Sequence, residues 1–168
     1  MTEAMESVLR ALLIGAGATA VLDLWNLFLK RFFGVPASSW NMVGRWVGHF
    51  PRGRFKHSSI AAAEPVEGEL AIGWFTHYVT GIVYGGLLVA LCGLDWARQP
   101  TLLPALIVGV ATVAAPFFIM QPGMGAGIAG SRMPNPAQSR LRSLMNHAVF
   151  GFGLYLAAVL TAMLIPAG

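Results

Sequence analysis

Asp23 and Asn26, His77, and the adjacent Asn146 and His147 are polar side chains set inside stretches that are otherwise almost purely apolar. One carboxylate and two neutral imidazoles are the donor set of a divalent metal such as zinc or iron. Two histidines from separate segments would equally serve as opposing axial ligands of a haem. Without a cofactor the same groups form a proton relay, because histidine exchanges protons near neutral pH. The plainer reading is a clasp, in which one acid pairs with one histidine to orient neighbouring helices. Two histidines and a carboxylate exceed what one clasp needs, and the excess favours a site that binds a metal, a cofactor or a small ligand. Hydrolytic signatures are absent: there is no GxSxG and no HExxH. Cys92 is the only cysteine, which excludes an intramolecular disulfide and a CxxC redox pair. Whether the chain is an enzyme stays open on these residues.

The elements that hold these groups are membrane spans. Of 168 residues, 56% are hydrophobic and 11% are charged, against roughly a quarter charged in soluble domains. Apolar runs cover about residues 8–33, 70–92, 102–120 and 144–165, each close to the ~20 residues that cross a bilayer core. The expectation is one all-α, polytopic transmembrane domain over residues 1–168, an antiparallel bundle of four transmembrane helices. The first run continues past a superficially cleavable Ala18-Thr19-Ala20 to Phe33, so it reads as a retained helix and not a signal peptide.

Depth and facing both support a shared polar layer. Asp23 lies about 10 Å of helix from Lys30, His77 about 10 Å from Leu70, and His147 about 7 Å from Arg142, at ~1.5 Å per residue. Gln121, ending the third span, reaches the rim of the same layer. Gly73, His77, Gly81 and Gly85 recur every four residues, as do Gly15, Thr19 and Asp23, and His147, Gly151 and Tyr155. Small residues at that spacing let helices approach closely in a bilayer, which puts the polar groups in seams and away from lipid.

Net charge is +4, but the basic residues flank apolar runs instead of forming one face, so nucleic acid is not an expected partner; membrane lipids are. The first long loop and its flanks carry Lys30, Arg31, Arg45, Arg52, Arg54 and Lys56; the second carries Arg132, Arg140 and Arg142; the other side has Arg10 and Arg98. Nine against two places both loops in the cytoplasm and both termini on the periplasmic side of an inner membrane. Ser38 or Ser39 starts a short interfacial helix through Gly48 in the first loop. Beyond it, Phe50-Pro51-Arg52-Gly53-Arg54-Phe55-Lys56-His57 is basic and aromatic, suited to lipid headgroups or to capture of an anion, with Arg45, Arg52 and Arg54 at the entrance. His49 and His57 read as ordinary loop histidines, His49 doubling as part of a lid. The glycine-rich segment from Gln121 to Gly127 is read equally as a re-entrant loop or a flexible one.

Gly44-Arg45-Trp46-Val47-Gly48-His49, Pro51-Arg52-Gly53-Arg54-Phe55, Gly73-Trp74-Phe75-Thr76-His77-Tyr78, Gln121-Pro122-Gly123, Pro134-Asn135-Pro136 and Asn146-His147-Ala148-Val149-Phe150-Gly151 together resemble a bacterial family of small four-span inner-membrane proteins of unknown function. The resemblance covers nearly the whole chain and implies a four-span fold. It implies no activity, substrate or cofactor. The competing expectations are therefore a ligand or metal site at Asp23, His77 and His147, a small-solute or proton-coupled transporter assembled as a homo-oligomer or with a partner membrane protein, and a non-catalytic accessory protein that contacts lipid.

Overall fold

The computed structural model describes residues 2–36 and 38–165. Four of its helices are long and apolar enough to cross a membrane: Glu3–Phe33, Glu69–Arg98, Leu102–Gly123 and Pro136–Leu164. Among the described residues there is no strand. The protein is all-helical and multi-pass, as its hydropathy pattern predicts.

Each helix boundary has a local cause. Helix α1 (Glu3–Phe33) starts where the Thr2 hydroxyl accepts the Met5 N–H at 3.3 Å, and it stops at Gly34, whose φ of +64° no β-branched residue would tolerate. Helix α2 (Trp40–Gly48) is the short loop helix expected from sequence, although Ser39 makes no side-chain cap. Helix α3 (Glu69–Arg98) is interrupted at Gly93 (φ 82°, ψ 169°), immediately after Cys92, where the second apolar run ends.

The third span is the least regular. Helix α4 (Leu102–Ala111) gives way to a turn at Thr112 and Val113. Pro116 has no N–H to return to the preceding turn, and the chain recovers through a π-helical stretch, Pro116–Met120, before α5 (Gln121–Gly123). Helix α6 (Pro136–Leu164) begins with proline in its first turn, and the Asn135 side chain accepts the Gln138 N–H at 3.2 Å.

The chain divides into two compact units. Of the described residues, the first comprises 2–36, Tyr78–Ala111 and 146–165. Its core is Ile14, Ala18, Leu88, Phe150, Leu154 and Ala158. A Cβ on Gly15 would collide with Ile82, one on Gly85 would lie 2.7 Å from the Ala11 carbonyl oxygen, and one on Gly109 would collide with Gly151. The four-residue stripes therefore are seams where α1 meets α3 and α4 meets α6. The outward faces carry Leu24, Leu27, Phe32, Val83, Leu91, Leu103, Ile107 and Leu160, all exposed, which suits hydrocarbon as solvent.

At one end of this unit, fully buried Arg10 donates to Glu6, to the Ala97 carbonyl and to the Ile165 carbonyl, while Arg98 grips the same Glu6 through two bonds of 3.1 and 2.8 Å. Arg10 thereby satisfies carbonyls at two helix ends that have no donor within their own helices.

The second unit comprises residues 38–77 and 112–145, that is, both long loops with the adjoining helix ends. Neither loop is slack. Helix α2 crosses the first turns of α3 with backbones in contact: a Cβ on Gly44 would strike the Glu69 carbonyl, and one on Gly73 the Trp40 carbonyl. The glycine-rich segment is tied to the first loop by His57 N–H to the Gly123 carbonyl (2.9 Å) and Ile60 N–H to the Met124 carbonyl (3.0 Å). Gly123 lies against the Trp46 ring, and Gly125, at φ +93°, against the Ser58 carbonyl.

Candidate functional site

Several polar residues inside the spans have hydrogen-bond partners within the protein. In the first unit, the Tyr78 hydroxyl donates to Asp23 Oδ2 at 3.1 Å, one turn beyond the Gly15–Thr19–Gly81 seam. His147 Nδ1 lies 3.2 Å from the Gly109 carbonyl. A carbonyl can only accept, so this contact puts the proton on Nδ1. The backbone approach of Gly109 to Gly151 brings the imidazole within reach of a carbonyl two residues before α4 ends. His147 thus supplies a donor to an interrupted membrane helix.

Asn26 donates to the Leu22 carbonyl at 2.9 Å, the same return to the preceding turn that Thr19 and Thr161 make. Its Oδ1, the Oδ1 of Asn146 and the Trp25 Nε1 are buried atoms with no hydrogen-bond partner among the described residues. In the second unit, Gln121 donates weakly to Ser143 at 3.5 Å and leaves its Oε1 buried in the same way. Three of the sequence-predicted binding residues therefore hold an amide oxygen that accepts nothing from the described residues. Such an atom costs roughly 1–3 kcal/mol if nothing meets it.

His77 belongs to the second unit and stacks on Trp40, ring centres 3.8 Å apart and planes within 26°, with Trp74 edge-on at 5.8 Å. Among the described residues no three His, Cys, Asp or Glu side chains gather into a group that could hold a metal ion.

The basic loop is more highly built than its sequence suggests. Arg45 is buried, donating to both Glu69 oxygens at 2.8 and 2.9 Å and to the carbonyls of Ile60, Ala61 and Ala63. The hydrogen-bonded Glu69 carboxylate raises the pKa of the guanidinium above its ordinary value. Arg45 therefore holds the loop onto α3. Arg52 and Arg54 are exposed, Arg52 meeting Glu64 only at 3.4 Å between two exposed side chains.

One family matches the chain, described as a protein of unknown function (DUF2938), over residues 12–161. The chain belongs to the DUF2938 family. No curated protein and no solved structure matches it. The matched range of this DUF2938 protein contains Asp23, Asn26, His77, Gln121, Asn146, His147 and both loops, and leaves out Glu6 and Arg10 at the start of the first span.

The residues that sequence reasoning missed are His49 and His57. Far from being ordinary loop histidines, His49 is 1% exposed, and its Nδ1 stands 2.8 Å from His57 Nε2. The ring centres are 4.9 Å apart and the planes within 25°. The centres are thus farther apart than the facing nitrogens by almost two imidazole radii, so the rings meet head to tail along the N···N line. One proton is shared between the facing atoms. The outer nitrogens, His49 Nε2 and His57 Nδ1, are buried with no partner among the described residues. The signal available in sequence was the pair of histidines bracketing a turn built on Gly53.

Proposed function

We propose that this DUF2938 protein is an inner-membrane protein, with its termini periplasmic and its loops cytoplasmic, that binds a small hydrogen-bond-donating solute inside its membrane helices. The observation that carries the reading is the pair of buried amide oxygens, Asn26 Oδ1 and Asn146 Oδ1, in a unit that also holds the Asp23 carboxylate. Asp23 and Asn26 are three residues apart on α1, so they share one face. Amide oxygens and a carboxylate only accept. That set suits an ammonium group or another donor-rich solute better than a transition metal, which would draw on the imidazoles. The excess of Lys and Arg in the two loops supports the orientation.

A carrier role is the second reading, favoured by the interruption of the third span at Thr112 and Val113 and by its π-helical stretch. Broken helices at membrane depth recur where transporters bind their substrates.

The test is thermal unfolding of the purified full-length protein with methylammonium or tetramethylammonium. Both carry one positive charge, and only the first has N–H donors. A rise in unfolding temperature with methylammonium alone, lost in an Asn26→Leu/Asn146→Leu variant, is the expected result. No rise, or an equal rise with tetramethylammonium, overturns the reading; an unliganded double variant that is simply more stable would point to the accessory role.

A further inference from the structure

The densest positive charge in the second unit lies between His49 and His57. Arg52, Arg54 and Lys56 alternate there, all exposed, with no acidic residue between them. Arg52 has only its exposed 3.4 Å contact with Glu64, the kind of surface pair that contributes little. Among the described residues neither Arg54 nor Lys56 meets an acidic side chain.

These cations ride on a backbone that is held from several directions. The His49 carbonyl accepts the N–H groups of both Arg52 (3.0 Å) and Arg54 (3.2 Å). Gly53, at φ +70°, turns the chain and donates to the Phe50 carbonyl at 2.9 Å. The Trp46 indole donates to the Phe55 carbonyl at 2.9 Å, and Phe50 packs between Trp46 and Phe55 at 4.8 and 5.1 Å. The His49–His57 hydrogen bond closes the turn, and His57 N–H fastens it to Gly123. The remaining charged groups on these packed elements are Arg45, tied to Glu69, and Glu64 and Glu67; residues 121–130 carry none. Ordering long cationic side chains on a fixed loop before a ligand arrives lowers the entropy lost on binding.

We propose that the turn His49–His57 is a preformed site for the phosphate of an anionic phospholipid headgroup. Two guanidiniums supply planar paired donors that match phosphate oxygens, and the lysine adds a compact charge. Exposed Phe55 (57%) beside them is apolar surface of the sort that enters the headgroup boundary. A phosphate dissolved in water would give that ring nothing to contact, which favours the lipid.

The experiment uses the full-length protein in nanodiscs of phosphatidylcholine with a minor share of phosphatidylglycerol, followed by native mass spectrometry of retained lipids. Wild type is expected to keep phosphatidylglycerol in excess of its share, and Arg52→Gln/Arg54→Gln/Lys56→Gln to lose that excess. Removing three cations elsewhere, Lys30→Gln/Arg31→Gln/Arg132→Gln, should leave it largely intact; an equal loss would overturn the site in favour of general charge attraction. His57→Ala keeps every cation but opens the turn, and should lower the excess several-fold; no effect would overturn the preformed geometry. Displacement by millimolar inorganic phosphate as readily as by lipid would overturn the lipid as ligand.

Discussion

His49 and His57 make an imidazole pair in which one ring must donate and the other accept, since the facing nitrogens are 2.8 Å apart. With the ring planes within 25° and the ring centres 4.9 Å apart, the shared proton sits in a nearly linear N–H···N bond, short enough to couple the two nuclei magnetically. With histidine labelled in 15N, a coupling between His49 Nδ1 and His57 Nε2 is therefore expected in the intact protein near neutral pH. It should vanish in His57→Ala while the far-ultraviolet helical signal persists. Two uncoupled rings, each hydrogen-bonded to water, would show that the turn is closed by its backbone and aromatic contacts alone. Asp23 and His147 are different in kind. Their contacts include the Tyr78 hydroxyl and the Gly109 carbonyl respectively, and both contacts are of the sort that aligns helices. The groups still asking for something to bind are the amides beside them, Asn26 and Asn146.

Along the helices the decisive feature is how little space separates the backbones. Gly85 and Gly86 are neighbours on α3 with opposite surroundings: a Cβ at Gly85 would lie 2.7 Å from Ala11 O and Gly15 N, whereas at Gly86 it would meet only the Ala11 Cβ at 4.0 Å. Gly85→Ala should therefore push α1 from α3 and cost about 1–3 kcal/mol. Gly86→Ala should be neutral or gain up to ~1 kcal/mol from helix propensity. Unfolding of the two variants in the same detergent compares them directly, and equal losses would contradict the seam. That seam was readable beforehand, because a four-residue glycine spacing has one structural meaning in an apolar helix. The four spans were readable for a similar reason, since hydropathy integrates over many residues. The interruption at Thr112 was not: Pro116 is visible in the sequence, but whether the chain kinks, unwinds or inserts a π turn depends on what satisfies the freed carbonyls. Nor was the closure of His49 on His57, a contact made only after Gly53, Phe50 and Trp46 have shaped the turn.

For the chain in its membrane, the remaining question is which side meets the loops, and charge is the only property that answers it. Lysines and arginines near span ends resist translocation and are drawn to anionic lipid on the cytoplasmic face. Nine of the eleven basic residues lie in or flank the two long loops, a bias that supports the proposed orientation, with the loops cytoplasmic and Arg10 and Arg98 on the other side. Ser59 and Gln99 are both exposed and are separated by a single helix long and apolar enough to cross a membrane, so they are expected on opposite sides. Because Cys92 is the only cysteine, a Cys92→Ala background allows each position to be probed alone. Gln99→Cys should react with a membrane-impermeant maleimide on intact spheroplasts, and Ser59→Cys only after the membrane is opened. The reverse pattern would turn the protein over and place the cationic turn against the outer leaflet, and labelling of both in intact cells would mean that the helix between them does not cross.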